Sequence, residues 1–193
     1  MTRITYKLVS VIIVSSVFFG VAKAEDNIIF EDNFDRADPW GGWVSDNGVW
    51  DVGSPTSGPE ECHSGNSCAA TILDGNYLAR TSSRLVSPSI QLPEIIGNDE
   101  IHLQFRHWFS YDTTSATNGN VQISIHNPDT KTWSDLETLG VVAVKTSPLW
   151  TKSGQELTNH SGKKIRIAFY HFATHSTAVT SGWYIDDIVI SGN

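Results

Sequence analysis

Two adjacent aspartates interrupt an apolar run near the C-terminus of the chain, Gly182-Trp183-Tyr184-Ile185-Asp186-Asp187-Ile188-Val189-Ile190. In an extended strand successive side chains point to opposite faces. On strict alternation Ile185, Asp187 and Val189 share one face, and Tyr184, Asp186, Ile188 and Ile190 share the other. One carboxylate must then point among apolar side chains. A buried carboxylate has to be paired or bound to a metal. The two cannot readily chelate one ion, because they face apart, so further ligands must come from elsewhere. Glu31, Asp32 and Asp35 in Phe30-Glu31-Asp32-Asn33-Phe34-Asp35 are the candidates, provided the first and last strands lie side by side. Carboxylates with backbone carbonyls make an oxygen-rich site, which suits calcium better than zinc. Asp186 or Asp187 would then join Glu31, Asp32 or Asp35 at one such site. Hydrogen bonding to buried backbone amides, or a salt bridge to Arg or Lys, is the competing reading.

Catalytic patterns are scarce. The sequence holds no His-Glu-x-x-His run, no Gly-x-Ser-x-Gly elbow and no phosphate-cradling glycine loop. His171 and His175 are four apart without the glutamate of a zinc protease, and read as core-edge or solvated histidines. Binding rests on aromatic residues instead. Seven tryptophans are many for 193 residues, and flat aromatic faces suit sugars as well as cores. Trp43, Trp50, Trp108 and Trp183 sit in strand-like positions and read as core. Trp40 and Trp150 sit in loop-like contexts and are expected to touch ligand. Tyr111, Asp112 and Asn118 flank a further loop and are expected to form its rim.

The elements that must position these residues read as strands. Ile101, Leu103, Phe105 and His107 alternate inward, as do Val121, Ile123 and Ile125, and Ile165, Ile167 and Phe169. Further strands are expected at 28–32, 48–53, 67–72, 85–87 and 183–190. The Val-rich stretch 135–147 is read as strand rather than helix. Asn118-Gly119 and Asn127-Pro128-Asp129 are turn signals. Many short strands separated by turns predict an all-β, two-sheet antiparallel jelly-roll sandwich.

Arg3 and Lys7 precede an apolar run, Leu8 to Phe19, and Ala22-Lys23-Ala24 supplies a small-residue cleavage site. Residues 1–24 are therefore expected to be a signal peptide, leaving one domain at 25–193 with no membrane span after cleavage. The expected location is secreted or periplasmic. Cys62 and Cys68, exported together, are expected to form a local disulfide. The net charge is −8 and no long Lys/Arg run exists, so nucleic acid is not an expected partner.

Several of these motifs occur in an order that resembles bacterial MAM-like jelly-roll domains, of the kind accompanying immune-inhibitor-A-type secreted proteases. The likeness runs from Phe30-Glu31-Asp32-Asn33-Phe34 through Val49-Trp50-Asp51-Val52-Gly53-Ser54-Pro55 and His63-Ser64-Gly65. It continues at Ala70 to Tyr77, Phe105-Arg106-His107-Trp108 and the closing Gly182 to Ile188. The resemblance implies a two-sheet jelly roll, often calcium-binding, used for recognition or adhesion, with Glu31, Asp32 and Asp187 as cation ligands. No zinc-protease sequence is present, so a protease activity does not carry over. The expected function is a secreted, non-catalytic recognition module for carbohydrate or a cell-surface polymer. The alternatives are a protein-interaction or adhesion domain, and a small secreted polysaccharide-acting enzyme.

Overall fold

The computed structural model describes residues 27–112, 117–173 and 177–192. The expected leader, its cleavage point before Glu25, and His175 lie outside the described residues. The strands are β1 (Asn27–Asp32), β2 (Val44–Ser45), β3 (Asp51–Gly53), β4 (Cys68–Ala70), β5 (Ser82–Val86), β6 (Ile90–Gln91), β7 (Ile101–Ser110), β8 (Asn118–Asn127), β9 (Thr132–Trp133), β10 (Glu137–Ala143), β11 (Thr146–Glu156), β12 (Lys164–Phe172) and β13 (Gly182–Gly192). They form two antiparallel sheets in a jelly-roll sandwich. One runs β11-β7-β13-β4-β3, with β1 also paired to β13. The other runs β10-β8-β12-β5-β2, with β6 on β12 and β9 on β8.

The inward residues of the two sheets make the core. Ile101, Leu103, Phe105, Val121, Ile123, Ile165, Ile167 and Phe169 are all buried, as their alternation predicts, and Ile125 packs against them. Phe169 lies at the centre. Its ring is 5.0 Å from Phe105, 5.7 Å from Trp183 and 6.0 Å from Trp43 between centroids. Each such pair adds to the area that its rings bury.

Three local expectations are corrected. Asn118-Gly119 is not a turn but the start of β8, where Gly119 pairs with His171. Gly119 faces inward, and a Cβ there would sit 2.5 Å from the Trp183 ring. The glycine makes room for a tryptophan. Second, β11 has no predicted counterpart beyond its first residues. It is an edge strand of mostly exposed polar residues with Pro148 inside it, so no alternation betrays it. Third, alternation fails within β13. The register against β7 shifts between Asp186 and Val189, and Asp187 has φ 45°. This bulge reverses the phase. Trp183 and Ile185 face the core before it, and Ile188 and Ile190 face the core after it.

Alternation from Ile185 puts Asp186 on the outer side of its sheet, just before the bulge, yet Asp186 is fully buried. The connection between β3 and β4 covers it. Ser57 Oγ meets the Tyr184 hydroxyl at 2.9 Å. Ser64 donates its backbone N–H to Asp186 at 2.9 Å and its hydroxyl to Asp187 at 2.6 Å. His63 Nδ1 also contacts the Asp187 carboxylate. Asp35 accepts the N–H groups of Asn66 and Ser67. The Cys62–Cys68 disulfide closes this loop. Burial pushes the Asp186 carboxyl up to about 7, against the pull of its two backbone N–H donors.

Two core histidines are held neutral. His107 accepts Trp183 Nε1–H at Nδ1, and His171 lies between the Tyr111 and Thr81 hydroxyls. Burial lowers each to about 4.

Two outcomes follow from this packing. Gly119→Ala should destabilise the fold by about 1–3 kcal/mol through overpacking against Trp183, read as a lower denaturant midpoint at constant m-value. The second outcome concerns pH. Lowered histidines give stability that is lost as pH falls from 6.5 toward 4, whereas a raised aspartate gives stability that is lost as pH rises from 3.8 toward 7. In the shared window, unfolding takes up two protons and releases one, so these groups make stability rise with pH. Asp186→Asn removes the opposing proton. Its stability should climb more steeply than wild type, by about 1.4 kcal/mol per pH unit, in urea melts between pH 4.5 and 6.5 at ~25 °C. Equal slopes would show that Asp186 is charged throughout.

Candidate functional site

The expected metal residues are divided by the fold. β1 and β13 pair antiparallel, as a shared site requires, with Glu31 opposite Val189 and Asp32 opposite Ile188. Glu31, Asp32, Asn33, Arg36 and Asp187 line one recess of about 390 Å³. The oxygens of Asp32 and Asp187, however, already accept hydrogen bonds. Asp32 accepts Phe34 N–H at 2.8 Å on one oxygen, and Trp43 Nε1–H at 2.8 Å together with Arg36 on the other. Asp187 is engaged by His63 and Ser64, and Asp186 turns away to the loop amides. Among the described residues no three His, Cys, Asp or Glu come together closely enough to hold a metal ion. Calcium needs six to eight oxygens around one point. In this arrangement Asp32 spends its oxygens on a backbone amide, Trp43 and Arg36, Asp186 on two backbone amides, and Asp187 on Ser64 and His63.

The five expected ligand contacts do not converge either. Tyr111 is 1% exposed and hydrogen bonds His171 Nδ1 at 3.0 Å, so it belongs to the core and not to a rim. Burial holds its phenol well above the usual range. Trp40 is half-buried and packs against the core, which corrects its reading as an exposed platform. Trp150 lies on β11 in the six-stranded sheet. Its Nε1–H donates to the Glu61 carbonyl and its ring meets the edge of His63. Asp112 is half-buried beyond the end of β7. Asn118 lies on the other sheet, at the start of β8.

Around Asn118 the structure shows a surface that the loop-centred search passed over. The outward positions of β8, β12 and β5 form the open face of the seven-stranded sheet. Register places them in rows. Asn118, Phe172 and Ser82 form one row, and Asn120, Tyr170 and Arg84 the next. In the third row Thr138, Gln122, Ala168, Val86 and Val44 follow one another across five strands. Ala168 is small, so the sheet is low at that point between Tyr170 and Arg166.

The polar groups of this face are fixed before any ligand arrives. Arg84 lies over the Tyr170 ring, 4.3 Å from its centroid. Its Nε donates to Gln122 Oε1 at 2.8 Å and its Nη1 to Asp46 at 2.9 Å. Asn120 donates to Asn118 at 2.8 Å. Tyr170 and Phe172 pack ring to ring at 6.0 Å. The result is an aromatic floor edged by three amides and one guanidinium. Flat apolar surfaces flanked by planar, multi-donor groups can stack on a sugar ring and hydrogen bond its hydroxyls. The signal was present in the sequence. Asn118, Asn120, Gln122 and Ser124 alternate against the inward Val121 and Ile123, and Arg166, Tyr170 and Phe172 against Ile167 and Phe169.

No protein-family profile matches the chain. It is 29% identical over 182 residues to bacillopeptidase F of Bacillus subtilis (strain 168), covering 93% of this chain. It spans only 12% of that protein's length. Among solved structures it resembles the CBM22-1 and GH10 modules of the Clostridium thermocellum endo-1,4-beta-D-xylanase 10B complexed with xylohexaose. That match has a TM-score of 0.56 at 13% identity and covers 88% of this chain and 29% of the other. It also resembles the K1 cleaved adhesin domain of Lys-gingipain from Porphyromonas gingivalis W83, with a TM-score of 0.51 at 18% identity, covering 83% and 96%. The two structural similarities speak for the jelly-roll sandwich fold, and not for the MAM-like family in particular.

Proposed function

We propose that this chain is a non-catalytic carbohydrate-recognition module of an exported protein, and that the ligand lies on the open face of the seven-stranded sheet. The observation that carries this reading is the preorganised row Asn120, Tyr170 and Arg84, flanked by Asn118, Phe172 and Gln122. The six-stranded sheet offers no comparable platform at its centre, where Tyr184 and Asp186 lie buried under the loop. Support comes from the fold shared with a xylanase module solved with xylohexaose. The resemblance to a segment of bacillopeptidase F supports an accessory role. Export is supported by the disulfide. No described helix is long and apolar enough to cross a membrane.

Binding on such a face depends on the aromatic floor. Tyr170→Ala should weaken binding to a polysaccharide selected on a glycan array by about tenfold or more, measured by calorimetry. Because Tyr170 is half-buried, the variant's melting curve must first show a folded protein. Leu149→Ala, at an exposed position on β11 in the other sheet, should leave affinity unchanged. Full affinity in a folded Tyr170→Ala variant would move the ligand off this face.

A further inference from the structure

The face just described does not end at Ala168. Arg166 and Lys164 continue the outward row of β12 toward its start, where Arg166 pairs with Ser124 and Lys164 with Gln91. From Phe172 to Lys164 this row is about 26 Å long, at about 3.3 Å per residue. Its two ends differ in chemistry. The Phe172 end is aromatic and amide-rich. The Lys164 end is cationic, and the guanidinium carbon of Arg166 lies over Trp133 of β9, 4.1 Å from the ring centroid. Trp133, His126 and Lys163 line an adjoining recess of about 550 Å³.

Among the described residues no carboxylate within salt-bridge distance pairs with Arg166, Lys163 or Lys164. Asp129, at the far rim of the recess in the β8–β9 turn, is the acidic residue among those lining it. In a chain of net charge −8, two cations without a carboxylate partner, Lys164 and Arg166, adjacent on one outward row are not a general surface property. The chain as a whole repels polyanions, so attraction has to be local. The contact with Trp133 holds the guanidinium at this place on the face, and a guanidinium over a ring keeps N–H donors for a ligand. Such an edge matches a carboxylate bidentately. Lys164, two residues along the same face, sits about 7 Å away and reaches a second charge on the same polymer.

We propose that this cationic end recognises carboxylate groups, so that the ligand of the face is an acidic polysaccharide built with uronic-acid units. The inference rests on the carbohydrate reading above and adds a ligand class to it. Along β12 the polymer would lie with sugar rings over Phe172 and Tyr170 and uronate carboxylates at Arg166 and Lys164.

The test compares polymers that differ in charge. Polygalacturonate and alginate are titrated against the full chain beside methyl-esterified polygalacturonate and neutral xylan. The proposal predicts that at least one acidic polymer binds about tenfold more tightly than the esterified and neutral ones, and that added salt reduces this preference. The double variant Arg166→Gln, Lys164→Gln should bring the acidic-to-esterified affinity ratio close to one. A melting curve checks that it remains folded, and Lys164→Gln alone, at an exposed site, should lower the ratio in part. Equal binding of acidic and esterified polymers, or binding of neutral xylan alone, would overturn the uronate inference and leave the carbohydrate reading standing. Binding of none of the four, with none on the glycan array, would overturn both. A ratio unchanged in the folded double variant would place the charge recognition elsewhere.

Discussion

A carboxylate buried on the outer side of a sheet has to be satisfied by something lying on top of that sheet. Asp186 imposes this requirement on the six-stranded sheet, and the loop between β3 and β4 meets it. The loop amide of Ser64 reaches down to Asp186, Asp187 takes the Ser64 hydroxyl and His63, and Asp35 takes the next two amides. The disulfide then fixes the loop's own shape. An unmet carboxylate in such a position costs several kcal/mol, so loop and bulge stand or fall together. The consequence is an asymmetric sandwich. One sheet is roofed where Tyr184 and Trp108 pack beneath the loop. The other has no such roof, and polar and aromatic side chains lie half-buried against one another on its outer side.

That asymmetry also separates structural from recognition roles among similar side chains. His107 and His171 are neutral core members with hydrogen-bond partners on hand. Tyr77, Tyr111 and Trp50 fill volume. Tyr170, Arg84, Trp133 and Arg166 are alike in composition but stand on the open side, stacked in cation–aromatic pairs. Stacking restrains flexible side chains before binding and so reduces the entropy lost when a ligand arrives. Asn120 and Gln122 are likewise held by neighbours.

Much of the fold was legible in the sequence. Where one face of a strand is buried and the other solvated, as in β7, β8 and β12, period-two alternation announces both the strand and its facing. The side-by-side first and last strands and the local disulfide were equally readable. The bulge at Asp187 was not, because alternation carries no sign of an inserted residue until the register is seen. Nor was the start of β8, where Asn-Gly imitates a turn but the glycine yields space to Trp183. The candidate site was half legible for a related reason. Aromatic residues in loops drew attention, yet Trp40 and Tyr111 pack inward. The outward partners of the alternation already used to find β8 and β12 are the set that the proposed ligand would meet. Only the strand order shows that Arg84 of β5 joins them.

The central claim is that recognition happens on the open face of the seven-stranded sheet. The most direct measurement is a heteronuclear NMR titration of the isotope-labelled chain with a short oligosaccharide cut from whichever polymer binds. Shift changes should cluster at Asn118, Asn120 and Gln122 of β8, at residues 166–172 of β12 and at Arg84, with the loop at 54–67 silent. Changes centred on that loop, or on the recess beside Glu31 and Asp187, with β8 and β12 unmoved, would contradict the account.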